Sequence, residues 1–173
     1  MKRSRLFVVM MVVAVLVGML SMAAPAAASS PACTGTIVQV ALCVNQQSGE
    51  FSTLIAALQA AGLVDALNGG GQFTVFAPTD AAFARLGLNK DNVGSLDKAT
   101  LTNILLYHVA SGEVFAKDLR RVQFVKMLNN QYTLVLKLPR VIYVNRAKVV
   151  LGDVDASNGV IHVIDRVLMP PRR

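Results

Sequence analysis

Histidine, cysteine, acidic residues and aromatic rings are all scarce in this chain, and each shortage removes a class of chemistry. The two histidines, His108 and His162, stand far apart with no third His, Cys or paired carboxylate at ligand spacing, which excludes a transition-metal site. The two cysteines lack the Cys-x-x-Cys spacing of a redox centre. Gly69 to Gly71 have no Lys-Ser or Lys-Thr after them to cradle a phosphate, and Ser111-Gly112 sits in no nucleophile elbow. In the acidic stretch Asp153 to Gly159 the glycine falls one place late for a calcium loop, and Ile164 stands where the bidentate acid belongs. No Arg-Gly-Asp, no internal repeat and no clustered set of acid, base and nucleophile is present. The sequence therefore carries no enzyme signal, and no cofactor is expected.

What is present begins with Lys2, Arg3 and Arg5, an apolar run from Leu6 to about Leu20, and small residues up to Ala28. This pattern predicts a secretory signal peptide, residues 1–28, rather than a membrane anchor, because the run is short for a span and meets an Ala-x-Ala site. Removing 28 of the 173 residues leaves 145, enough for one domain with a sizeable core. Three of the 17 Lys and Arg lie in the leader, leaving 14 against 10 acids, a mildly basic mature chain. No membrane span is expected after cleavage, and a secreted or cell-surface location follows, periplasmic in a Gram-negative source.

Export places Cys33 and Cys43 in an oxidising compartment, where a structural disulfide within the N-terminal segment 29–46 is the default reading. Metal binding and two free thiols are the alternatives. Ile37 to Val44 is an apolar stretch that fits a strand or a first helical turn. Phe51, Leu54, Ile55 and Leu58 fall at i, i+3, i+4 and i+7, one face of a helix ending before Gly62. Leu63 to Leu67 continues a short helical pattern up to Asn68 and the glycine run.

Phe73 to Phe76 predicts a strand, after which Thr79 caps a short helix that begins at Asp80. A further helix is expected from Asp97 to Val109, with Leu101, Ile104, Leu105 and His108 as its stripe. Strands are expected at Val122–Leu128, Tyr132–Leu136, Val141–Val144, Lys148–Leu151 and Val160–Ile164, with turn chemistry at Asn129-Asn130 and Asn158-Gly159. Helices first and strands second argue for an α+β domain on an antiparallel sheet.

Three segments resemble the fasciclin family: Phe73 to Phe83, Leu105 to Val109 with its Tyr-His pair, and Asn158 to Pro170. The resemblance spans residues 47–170, leaving 171–173 as a tail. It implies a wedge-shaped antiparallel β-sandwich with helices covering one side, and a noncatalytic module for adhesion between cells or between cell and matrix. It also implies a single-domain form of the kind found among secreted bacterial proteins. Contact roles proposed in the family map onto Tyr107, His108, Asp153 and Val154; Asp155 departs from the apolar residue usual at its place.

His108, on an apolar stripe, reads more readily as a buried histidine bonded to a neighbour than as a contact residue. A pairing of Asp80 with His108 is expected to join the first motif to the second. Between Lys117 and Lys148 eight Lys and Arg face one acid, Asp118. Lys126, Lys137, Arg140, Arg146 and Lys148 are therefore expected to form one positive face for an anionic polysaccharide, an acidic envelope polymer or a lipid headgroup. Solvated charge that protects sheet edges is the plainer reading of the same residues. Partners are expected to be a cell-surface protein or a matrix or envelope polysaccharide, and not nucleic acid.

Overall fold

A Thr-x-x-Gln capping box starts the described part of the molecule. Thr36 accepts a hydrogen bond from the Gln39 amide, and the Gln39 side chain returns one from the Thr36 N–H at 3.0 Å. Two of the free amides at a helix start are thereby satisfied, which is why Ile37 to Val44 extends as helix α1 (Ile37–Ser48) and not as a strand. The computed structural model describes residues 33–171; the expected leader 1–28 and the tail beyond 171 lie outside them. Cys33 and Cys43 form a disulfide with Cα atoms 5.7 Å apart, fastening the incoming chain to α1. No helix among the described residues is long and apolar enough to cross a membrane.

The helix predicted from Phe51 is α2 (Ser52–Ala61), followed by α3 (Val64–Asn68), α4 (Asp80–Ala84), a 3-10 turn at Val93–Ser95 and α5 (Lys98–Leu106). Phe51 has no side chain to cap α2. Asp80 does this from a distance: its carboxylate accepts the amides of Ser52 at 3.2 Å and Thr53 at 2.8 Å, and its own N–H donates to the Glu50 carbonyl. The expected pairing of Asp80 with His108 is therefore absent. The physical reason is that two unsatisfied amides and a helix N-terminus outcompete a neutral ring for the carboxylate.

Among the described residues seven strands follow the order β2-β1-β7-β6-β5-β4-β3, with β1 (Phe73–Pro78), β2 (Val109–Ser111), β3 (Val122–Lys126), β4 (Tyr132–Leu138), β5 (Val141–Val144), β6 (Ala147–Ala156) and β7 (Gly159–Ile164). Every pairing is antiparallel except β1 with β7, which run parallel from Phe73 opposite Gly159 to Pro78 opposite Ile164. The sheet is thus mixed. Its two end strands meet again through a bridge between Ala110 and Met127 and a Leu128 N–H to Val109 carbonyl bond at 2.8 Å, so the ribbon of strands folds back on itself.

Both faces of β1 and β7 are consequently covered, which explains their near-continuous apolar runs. Val75, Ala77, Ile161 and Val163 pack toward the helices, with Leu54, Leu58, Leu101 and Leu105. Phe76 and Ile164 pack the other way, against Val125, Met127, Val135 and Val144 of the hairpins. The turn between β6 and β7 allows little variation. Gly159 has φ +147°, and an added Cβ would run into the Phe73 carbonyl. Beside it, Asn158 accepts the Ile37 amide at 2.8 Å and donates to the Leu67 carbonyl at 2.6 Å, tying α1 and α3 to the sheet.

Replacing Asp80 with Ala removes both acceptors at the start of α2 and is expected to cost about 2 kcal/mol, the upper end for loss of a cap. Chemical denaturation followed by circular dichroism measures it; an unchanged midpoint would contradict the assignment.

Candidate contact surface

The Tyr-His pair lies where α5 gives way to β2. The predicted helix to Val109 ends earlier, at Leu106, because Tyr107 and His108 turn into opposite layers and Val109 already pairs with Val75. His108 is 2% exposed. Its Nδ1 donates to the Ile104 carbonyl at 2.8 Å, and its Nε2 accepts the Leu168 amide at 2.9 Å, an assignment that requires the neutral ring with the proton on Nδ1. One backbone acceptor at the helix end and one buried donor of the closing segment are both satisfied by a single ring.

Tyr107 is equally buried. Its hydroxyl donates to the Tyr132 carbonyl at 3.2 Å and accepts from Asn145 Nδ2 at 3.1 Å, while Asn145 Oδ1 accepts the Leu134 amide. Against the contact role mapped onto Tyr107-His108, both side chains are enclosed in the folded chain and their polar atoms are already used.

Asp153 sits in β6 within the second of two register irregularities, the one between Leu151 and Val154, with φ +54°. Its carboxylate accepts the Ala116 amide at 2.7 Å, and its N–H donates to Nδ1 of His162 at 3.3 Å. His162 in turn donates from Nε2 to the Val114 carbonyl at 2.8 Å and stacks on Phe76 with centroids 5.6 Å apart. The bulge therefore anchors the loop between β2 and β3. Val154 is half-buried against the helix-side core. Asp153 remains on the surface, with one carboxylate oxygen already engaged.

The basic residues do not form one face. Register places Lys126 opposite Tyr132 and Lys148 opposite Tyr143, on the outer side of the hairpins, whereas Lys137 pairs with Ile142 on the alternate side. Lys137 Nζ donates to the Lys117 carbonyl at 3.1 Å. Arg140 and Arg146 are exposed in the turns at either end of β5. Period-two alternation splits a cluster that proximity in sequence joins.

The outer side of β3 and β4 instead presents apolar side chains: Phe124 is 68% exposed, Tyr132 61%, Val122 56% and Leu138 41%. The signal for it is in β4, where Tyr132, Leu134, Leu136 and Leu138 occupy the alternate positions to buried Thr133 and Val135. A strand with one solvated face ordinarily carries polar residues there. Among the described residues no group of three His, Cys, Asp or Glu is placed to hold a metal ion.

Burial pushes the His108 pKa down from 6.5 to about 4, with the Ile104 bond opposing the shift. The unfolded chain thus takes up a proton from about pH 6.5 downward, which the folded protein refuses until about pH 4. Stability is full above that window and falls as pH drops through it, by about 3 kcal/mol at about 1.4 kcal/mol per unit. His108→Gln is expected to be less stable at pH 7 and to lose this part of the pH slope. Denaturant midpoints at pH 7 and 4.5 give the comparison, and equal slopes would contradict it.

A family model for the fasciclin domain matches residues 49–170. Protein sll1483 of Synechocystis is 45% identical over 138 residues, covering 79% of this chain and 74% of that protein. Immunogenic protein MPB70 of Mycobacterium bovis is 38% identical over 127 residues, covering 70% and 64%. Human periostin is 32% identical over 127 residues, but these make up only 15% of its length, against 72% of this chain. A FAS1 domain pair from the insect cell adhesion molecule fasciclin I shares the fold, with a TM-score of 0.64 at 22% identity; the match covers 79% of this chain and 51% of that one. The matched region runs from the start of α2 through the Tyr-His pair to the closing segment that His108 holds, and on that span the chain belongs to the fasciclin domain family.

Proposed function

We propose that this protein is an exported, noncatalytic adhesion or recognition module that presents the outer side of its β3–β5 hairpins to a cell-surface or matrix partner. The observation that carries the reading is the exposure of Phe124 beside Val122 on a sheet face next to Leu134 and Leu136. Exposed apolar groups gathered on one face tend toward association, and a ring with little rotamer freedom is a favourable anchor. Family membership supports the class, since one solved relative is a cell adhesion molecule. The leader pattern and the Cys33–Cys43 disulfide support export.

A second reading is binding of an anionic envelope polymer or polysaccharide. Lys126 and Lys148 favour it because they share the outer face with Phe124. Exposed charge contacts weaken with salt, so the two readings separate experimentally.

Attachment of the purified protein to envelopes of the producing cell and to immobilised anionic glycans, at low and high salt, is the test. Phe124→Asp is expected to weaken attachment at least about tenfold at both salts without lowering the thermal melt, as an exposed anchor should. Attachment that disappears in high salt and with Lys126→Glu plus Lys148→Glu, while surviving Phe124→Asp, would replace the first reading with the second.

A further inference from the structure

A groove that borders the hairpin face at Tyr132 and Leu134 lies between the end of α4, the β4–β5 pair and the segment after β7. It has a volume of about 920 Å³, inside the span of small-molecule sites, roughly 300–1,000 Å³. Apolar side chains from three separate parts of the chain line it, Leu86 after α4, Leu134 on β4 and Met169 beyond β7. Leu86 and Met169 are 48% and 55% exposed, so apolar surface stays open to water where the chain is concave. The charged residues that line it are Arg85, Arg146 and Arg166, and no carboxylate is among the lining residues.

Arg85 is fixed in place by a hydrogen bond of 3.2 Å to the Asp165 carbonyl, with the Asp165 carboxylate 3.9 Å away. Arg146 and Arg166 have no ion pair among the described residues. Guanidinium groups on an apolar trough set two demands on an occupant. It must bring negative charge for forked, charge-assisted hydrogen bonds, and it must bring hydrocarbon to cover Leu86, Leu134 and Met169.

From this geometry we infer that the groove binds a free single-chain anionic amphiphile, an alkyl chain ending in a carboxylate or phosphate. The apolar segment of residues 1–32 does not meet these demands, because it carries Lys2, Arg3 and Arg5 and no acidic side chain. A second copy of a basic chain brings the same sign of charge. A bilayer surface calls for a protruding apolar face, whereas this site is concave and sized for one chain. The site differs from the expected polyanion face, sharing with it only Arg146.

Isothermal titration of the purified protein with decanoate and decyl phosphate below their micelle concentrations tests the inference, with decanol and acetate as controls. At least one of the two anionic amphiphiles is expected to bind at least about tenfold more tightly than decanol, and acetate not at all. The double variant Arg146→Glu, Arg166→Glu is expected to lower that affinity at least about tenfold with the melt unchanged, and Met169→Glu to do so independently. Decanol binding as tightly as decanoate and decyl phosphate, or no binding by either anion, would overturn the proposal. So would affinity untouched by both variants, or binding confined to anionic vesicles. Phe124 does not line the groove, and Arg166 and Met169 lie outside the β3–β5 face, so failure here and failure of the adhesion reading are distinguishable.

Discussion

A neutral imidazole held between a helix end and the closing segment is the constraint on which the rest of this domain depends. His108 gives its proton to the Ile104 carbonyl and takes the Leu168 amide, so the last turn of α5 and the chain beyond β7 are fixed to each other inside an apolar site. Its neighbour Tyr107 faces the hairpin layer and engages Tyr132 and Asn145. Two adjacent residues thereby connect both layers that flank β1 and β7. The ring holds its place only while neutral, because its second nitrogen faces an N–H and a proton there would leave two donors opposed.

This arrangement redirects the functional question. A motif that reads as a contact point fastens the fold internally, and Asp153 performs a similar role: its carboxylate holds the Ala116 amide, and its own amide holds His162, which bonds the Val114 carbonyl. Surfaces free to meet a partner lie elsewhere, on the outer side of the hairpins and in the groove beside α4. The polar groups of Tyr107, His108 and Asp153 are engaged within the fold, whereas the Phe124 ring is exposed and the guanidiniums of Arg146 and Arg166 have no ion pair among the described residues.

Much of the fold was legible from local pattern. The stripe from Phe51 to Leu58, the strand at Phe73, the Thr79 cap and the hairpins from Val122 onward all appear near their expected places, since period and turn chemistry are short-range signals. Long-range pairing was not. Nothing in Phe73 to Pro78 announces a parallel partner at the far end of the chain, so the sheet reads as antiparallel throughout. Strand β2 was hidden because its residues continue the apolar spacing of α5. The partner of Asp80 was misread because the amides it caps lie 28 and 27 residues earlier, invisible to any window. Of the candidate contacts, burial of His108 was readable from its stripe; the apolar outer face was also present in β4, but only as apolar residues at both alternations.

The most direct test of this account is nitrogen-15 NMR of the imidazole of His108 across pH. A neutral ring protonated on Nδ1 is expected to persist at pH 5, with an Nδ1 proton slow to exchange. A ring protonated on Nε2, or one titrating near pH 6.5 in fast exchange with solvent, would contradict it.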